Sequence, residues 1–172
     1  EDLIQSNGIA KVNCLVAGGK TRQESVYKAL LHLKENGASD EDIVLIQDGD
    51  RPNLTHVLIK EGIELARIGG ASVTALHATD SLFRSFDGEK VDSYIPRETC
   101  YRVQTPQTFR FCLILEAHEK GKAAGKSFTD DASMVLGEGK EVYIVSGSED
   151  NYKINTVEDG MRFERDLERR EK

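Results

Sequence analysis

Apolar positions along this chain alternate between two rhythms. Short apolar runs at 11–17 (KVNCLVA), 42–48 (DIVLIQD), 71–78 (ASVTALHA) and 141–147 (EVYIVSG) predict strands. The run at 42–48 is nearly continuous, as expected of a strand buried on both faces of a parallel sheet. Between the runs the period changes. In 21–37, Val26, Leu30 and Leu33 fall at helical spacing and Asn36-Gly37 supplies the stop. Residues 55–70 predict a second helix, opened by Thr55 and closed by two glycines. Further helices are predicted at 108–122, 129–136 and, highly charged, from 156 to the end. Two mixed segments, SLFRSF and KVDSYI, flank Asp87-Gly88 and predict a hairpin.

Strands alternating with helices predict an α/β layered fold with a mainly parallel sheet, interrupted by a hairpin arm at about 81–103. There is no repeat, low-complexity stretch or linker, so residues 1–172 read as a single domain. The first residues, without a Met, read as the middle of a helix running into a strand, which suggests a piece of a longer protein.

Composition narrows the partners. Thirty acidic against 23 basic residues give a net charge of −7, which argues against a broad nucleic-acid surface while allowing a few cations to hold an anion locally. Cys14, Cys100 and Cys112 are isolated, and His32, His56, His77 and His118 form no HxxxH pair, so neither a disulfide framework nor a histidine metal site is indicated. With no membrane-length apolar run and no signal peptide, the expectation is a cytoplasmic protein without a membrane partner, and the Asn53-Leu54-Thr55 sequon is coincidental.

The strand ends carry the candidate chemistry. Asp48, Gly49, Asp50, Arg51 and Pro52 follow a buried strand, where open α/β sheets bind ligands, although an Asp-Gly turn with Arg51 in a surface ion pair explains them equally well. Gly18-Gly19 before Arg22 and Ser25 offers backbone N–H groups at a helix start, or a plain turn. Residues 102–109 around Pro106 read as a polar stretch entering a helix, with Thr105 or Thr108 as the cap. Thr129 or Asp130 would cap the next helix, and Lys153 follows a strand and loop as either an anion ligand or a solvated lysine. Each feature alone is ambiguous. Together they gather polar groups at one sheet edge.

The segments VAGGKTRQESVYKAL, DIVLIQDGDRP, TDSL, QTPQTFR, FTDDAS and DNYKINTVED, in this order and spacing, resemble the cytidylyltransferases of polyol phosphates. Members of that family act on 2-C-methyl-D-erythritol 4-phosphate in isoprenoid biosynthesis or on ribitol 5-phosphate in teichoic-acid synthesis. The resemblance covers essentially the whole chain. It implies a Rossmann-like fold with helices on both sheet faces, a homodimer locked by the hairpin arm, Mg²⁺ as cofactor, and transfer of CMP from CTP to a polyol phosphate. By this resemblance Gly18, Gly19, Arg22 and Ser25 contact the cytidine. Asp48 lies near the ribose, the α-phosphate and the metal. Arg97 and Thr105 serve the acceptor, with Arg97 reaching the partner subunit's site. Thr129 belongs to the substrate site, and Lys153 faces the α-phosphate.

Departures qualify the match. The family's N-terminal strand and glycine-rich loop, with an Arg and a Lys around the triphosphate, precede the first residue, so this stretch alone is expected to be inactive. Gln47 stands in place of the usual His, and Asp50 where a small or apolar residue is common. Ile95-Pro96 and Cys100-Tyr101 lean toward the ribitol enzymes, whereas TDDAS leans toward the erythritol enzymes, which the balance favours. The remaining alternative is an inactive dimeric scaffold. Asp48 is expected to point into the nucleotide cleft from the end of a central strand, with Asp50 and Arg51 shaping the loop. If both carboxylates face the cleft, Mg²⁺ or Arg51 should lie between them.

Overall fold

The computed structural model describes residues 2–170. Helix α1 (Asp2–Ser6) precedes an extended stretch, and α2 (Arg22–Glu35) leads to β1 (Ile43–Ile46). Helix α3 (His56–Gly69), β2 (Ala71–His77), and the arm strands β3 (Leu82–Arg84) and β4 (Ser93–Ile95) follow. After a 3₁₀ turn at Arg97–Thr99 come β5 (Tyr101–Arg110), α4 (Phe111–Ala123), α5 (Asp131–Gly137), β6 (Tyr143–Ser146) and α6 (Val157–Arg170).

Local chemistry explains the helix ends. Thr21 caps α2 by accepting from the Glu24 N–H, Thr55 caps α3 by accepting from Leu58, and Asp130 caps α5 by accepting from Ser133. Gly70 ends α3 at φ 91°, a left-handed conformation that a side chain would disfavour.

The sheet runs β1-β5-β2-β6. Strands β1, β2 and β6 point the same way, as expected, but β5 runs antiparallel between β1 and β2. The sheet is therefore mixed, with an inserted reversed strand. Helices cover both faces. Leu30 of α2, Ile114 and Leu115 of α4, and Met134 and Val135 of α5 form one core with Val73 and Phe109. On the other face α3 packs so closely that the Ser72 hydroxyl donates to the Gly62 carbonyl at 2.9 Å, and a Cβ on Gly62 would meet Thr108 Oγ1 at 2.9 Å.

Three expectations need correction. Residues 101–110, expected as a loop and a helix start, form β5, and α4 begins only at Phe111. Three of its polar side chains are buried with partners outside the strand: Gln104 donates to the Ser148 carbonyl at 2.9 Å, Thr105 Oγ1 accepts from the Asp48 N–H at 3.1 Å, and Gln107 accepts from the Ala132 N–H in the first turn of α5 at 2.9 Å. Pro106, which has no N–H, sits where the pairing with β2 jumps from Val73↔Gln107 to Ala75↔Val103, so the ladder loses little.

Residues 11–17 form no strand; no partner among the described residues pairs with them, and Val12, Leu15 and Val16 stay exposed. Lastly, β1, which leads to Asp48, is an edge rather than a central strand among the described strands. The hairpin arm is as expected: Leu82 pairs with Ile95 and Phe83 with Tyr94.

Candidate active site

The bulge in β5 turns Gln104 and Thr105 toward the loop that follows β1. There a cleft of about 200 Å³ is lined by Arg22, Asp48, Arg51, Gln104, Thr105, Gln107, Thr129, Asp130 and Lys153, with Val103 at its side. A roomier cavity of about 320 Å³ behind α2 lacks this convergence of charge on one carboxylate.

Asp48 is the centre of the cleft. Its side chain is largely buried, and its backbone N–H donates to Thr105 Oγ1 at 3.1 Å, which ties the β1 loop to the bulge. One carboxylate oxygen accepts from Arg22 Nε at 3.2 Å, while the other lies 2.7 Å from Lys153 Nζ and 3.9 Å from Arg51 Nε. Burial by itself would raise the Asp48 pKa, but the hydrogen bonds and charges of Lys153 and Arg22 outweigh it and hold the carboxyl below its ordinary range. The same contest at Arg22 ends with Asp131 and Asp48 raising its pKa despite burial, whereas at Arg51 burial dominates and lowers it.

A pH dependence follows. A depressed folded pKa means that Asp48 stabilises the fold above the ordinary carboxylate range and that this contribution is lost as pH falls through the folded value. Urea unfolding followed from about pH 7 down to about pH 3 should show a drop in stability below about pH 4 that is smaller in Asp48→Asn. Identical pH curves for the two proteins would contradict this pairing.

Lys153 lies in the loop after β6, and that loop is firmly tied. Arg51 Nη1 donates to the Asn151 carbonyl at 2.6 Å, Ile154 N–H to the Asp50 carbonyl at 2.8 Å, and the wholly buried Asn151 amide to the Thr105 carbonyl at 2.7 Å. Asp50 is half-exposed and does not line the cleft, yet its carboxylate lies 3.7 Å from Lys153 Nζ. Only Asp48 of the two carboxylates lines the cleft, as expected, and the side-chain cation that lies between them is Lys153.

The other expected residues divide. Thr105 and Thr129 line the cleft, as does Arg22. Gly18, Gly19 and Ser25 form the adjoining turn, where Gly19 N–H donates to Ser25 Oγ at 2.9 Å and that hydroxyl donates to the Thr21 carbonyl at 2.9 Å. Arg97 stands outside the cleft of its own chain, half-exposed beside the arm, with Nη1 donating to the Thr79 carbonyl at 2.8 Å. Sequence reasoning missed Gln104 and Gln107, whose placement depends on β5. It also read Asp131 only as part of a capping segment. Asp131 is in fact buried and pairs with Arg22 Nη1 at 2.8 Å and His118 Nε2 at 3.1 Å. Among the described residues no group of three or more His, Cys, Asp or Glu side chains could hold a metal, and no helix is long and apolar enough to cross a membrane.

Residues 2–169 match the family model described as IspD, 2-C-methyl-D-erythritol 4-phosphate cytidylyltransferase. The enzyme of that name from Bacillus cytotoxicus is 42% identical over 159 residues, covering 92% of this chain and 68% of the relative. That of Clostridium novyi is 40% identical over 160 residues, covering 92% and 67%, so the chain spans about two thirds of these relatives. Among solved structures, the Thermus thermophilus enzyme superposes with a TM-score of 0.77 at 33% identity, over 89% of this chain and 72% of the other. The 4-diphosphocytidyl-2C-methyl-D-erythritol synthase of Anaerococcus prevotii superposes with a TM-score of 0.85 at 28% identity, over 97% and 77%.

Proposed function

Because the chain belongs to the 2-C-methyl-D-erythritol 4-phosphate cytidylyltransferase family, we propose that the cleft around Asp48 is where CMP passes from CTP to that polyol phosphate. The observation that carries this assignment is the convergence of Arg22 and Lys153 on one largely buried carboxylate, between Thr105 and Thr129. In the reaction an acceptor phosphate oxygen bonds to the α-phosphorus of CTP. The bond from that phosphorus to the α–β bridging oxygen breaks, and pyrophosphate leaves with the electron pair. One polyanion approaches another, so positioning and charge neutralisation do most of the catalysis.

Lys153 supplies a compact charge for the α-phosphate, and its carboxylate partners keep it at the cleft before substrate arrives. Asp48 holds the ribose, with Gly18, Gly19, Arg22 and Ser25 on the cytidine side, while Thr105 and Thr129 take the acceptor. The donor set fits magnesium only in one form. Of the two carboxylates that line the cleft, Asp130 is taken up by the Ser133 N–H and hydroxyl, and Asp48 cannot cage the ion alone, but Asp48 suits an ion that arrives on the nucleotide, since Mg²⁺ usually combines one or two carboxylates with substrate phosphates. When bound, the ion would neutralise triphosphate charge. The isolated thiols of Cys14, Cys100 and Cys112 suit work in a reducing cytoplasm.

The arm is read as the dimer contact, presenting Arg97 to the partner's cleft. A two-stranded hairpin is marginal alone in water, and this one leaves Phe83, Phe86, Val91 and Tyr94 exposed. Sedimentation of the full-length protein at micromolar concentration should give a dimer, and Phe86→Asp with Tyr94→Asp should give a monomer of much reduced activity, because Arg97 no longer reaches a second cleft. A wild-type monomer with full activity would remove both the dimer and the role of Arg97 across it.

A further inference from the structure

Behind the cleft lies a pair of groups that the reaction above does not touch. Asp131, at the start of α5, and His118, in the middle of α4, are each only 1% exposed. His118 Nε2 donates to Asp131 Oδ1 at 3.1 Å, the direction set because a carboxylate can only accept. The other Asp131 oxygen lies 2.8 Å from Arg22 Nη1. Arg22 then presents Nε, on the same rigid guanidinium, to Asp48 at 3.2 Å.

We propose that Asp131, backed by His118, is a positioning residue for CMP transfer, orienting Arg22 and through it Asp48 and Lys153. The proposal rests on the function assigned above and extends it to residues that meet no substrate.

Three features support this role. A carboxylate buried so deeply needs a permanent partner, and a guanidinium fork held at one nitrogen has its other nitrogens fixed in direction. Asp131 itself stands on firm ground, since Asp130 caps α5 and the next N–H, that of Ala132, donates to Gln107 on β5 at 2.9 Å. Arg22, by contrast, opens α2 with a side chain about one-third exposed, so without Asp131 it would be free to swing into solvent and pair with Asp48 only part of the time.

A double-mutant cycle in the full-length protein tests this, reading kcat/KM for pyrophosphate release together with thermal midpoints. Asp131→Asn should lower kcat/KM about tenfold, Arg22→Ala at least as much, and the double variant no more than Arg22→Ala alone. The thermal midpoint of the double variant should still fall below that of Arg22→Ala, because burial of Asp131 affects stability whether or not Arg22 is present. A merely structural Asp131 would give kinetic losses that multiply, or a lower midpoint with wild-type kcat/KM, and either result overturns the proposal. Should Asp131→Asn fail to fold, His118→Gln, which leaves both charges in place, takes its part in the same cycle. A loss of a fewfold that vanishes on Arg22→Ala supports the proposal, and a loss that persists there overturns it. Absence of CMP transfer by the wild type would instead remove the underlying function.

Discussion

Replacing Lys153 with alanine is expected to lower kcat about a hundredfold, a loss of about 3 kcal/mol, while CTP binding changes little. In the free protein the ammonium is already neutralised, 2.7 Å from Asp48 and 3.7 Å from Asp50. Binding the ground-state nucleotide therefore exchanges one set of anionic partners for another, with small net gain. Charge that builds on the transferring phosphoryl group strengthens the new interaction, so the benefit appears in the transition state. Steady-state pyrophosphate release gives kcat, and calorimetric titration with CTP gives binding. An unchanged kcat would make Lys153 a solvated lysine that merely pairs with its neighbours.

The second large effect concerns the two carboxylates around that lysine. Asp48→Asn should lower kcat/KM on the order of a hundredfold or more. It removes the charge that Arg22 and Lys153 share, together with the cleft carboxylate that is not taken up by a helix cap. Asp50→Ala should leave activity within about twofold of wild type, or raise it slightly. Asp50 is farther from Lys153 and does not line the cleft, so its main effect is to hold the ammonium back from an incoming phosphate. Parallel kcat and KM measurements on both variants separate the roles. Equal damage would show that Asp50 takes part in the site.

How much of this was legible in the sequence depended on whether local pattern or tertiary pairing decided the outcome. Of the cleft residues, Asp48 and Lys153 were legible as polar side chains following apolar runs, where α/β sheets gather their loops, whereas Thr105 and Thr129 were marked only by the family motifs QTPQTFR and FTDDAS. Helix α2 was legible from its spacing, though its Thr21 cap was not, and α3 was legible from its closing glycines and from Thr55, which accepts from the Leu58 N–H as a cap does. Strand β5 was not. Gln104, Thr105 and Gln107 look solvent-facing in one dimension, and only partners brought in by the tertiary fold compensate their burial. Residues 11–17 failed in the opposite way, since an apolar run can form a strand only when another edge is available to pair with it. The His118–Asp131 pair was invisible because it joins two helices, and a buried Asp beside a capping Asp carries no local mark.

The most direct test of the assigned function is pyrophosphate release by the full-length protein supplied with CTP, Mg²⁺ and one acceptor at a time. Release with 2-C-methyl-D-erythritol 4-phosphate, and little with ribitol 5-phosphate, is the predicted result. Release with ribitol 5-phosphate alone would contradict the acceptor, and CTP binding without release on either acceptor would reduce the domain to a binding scaffold.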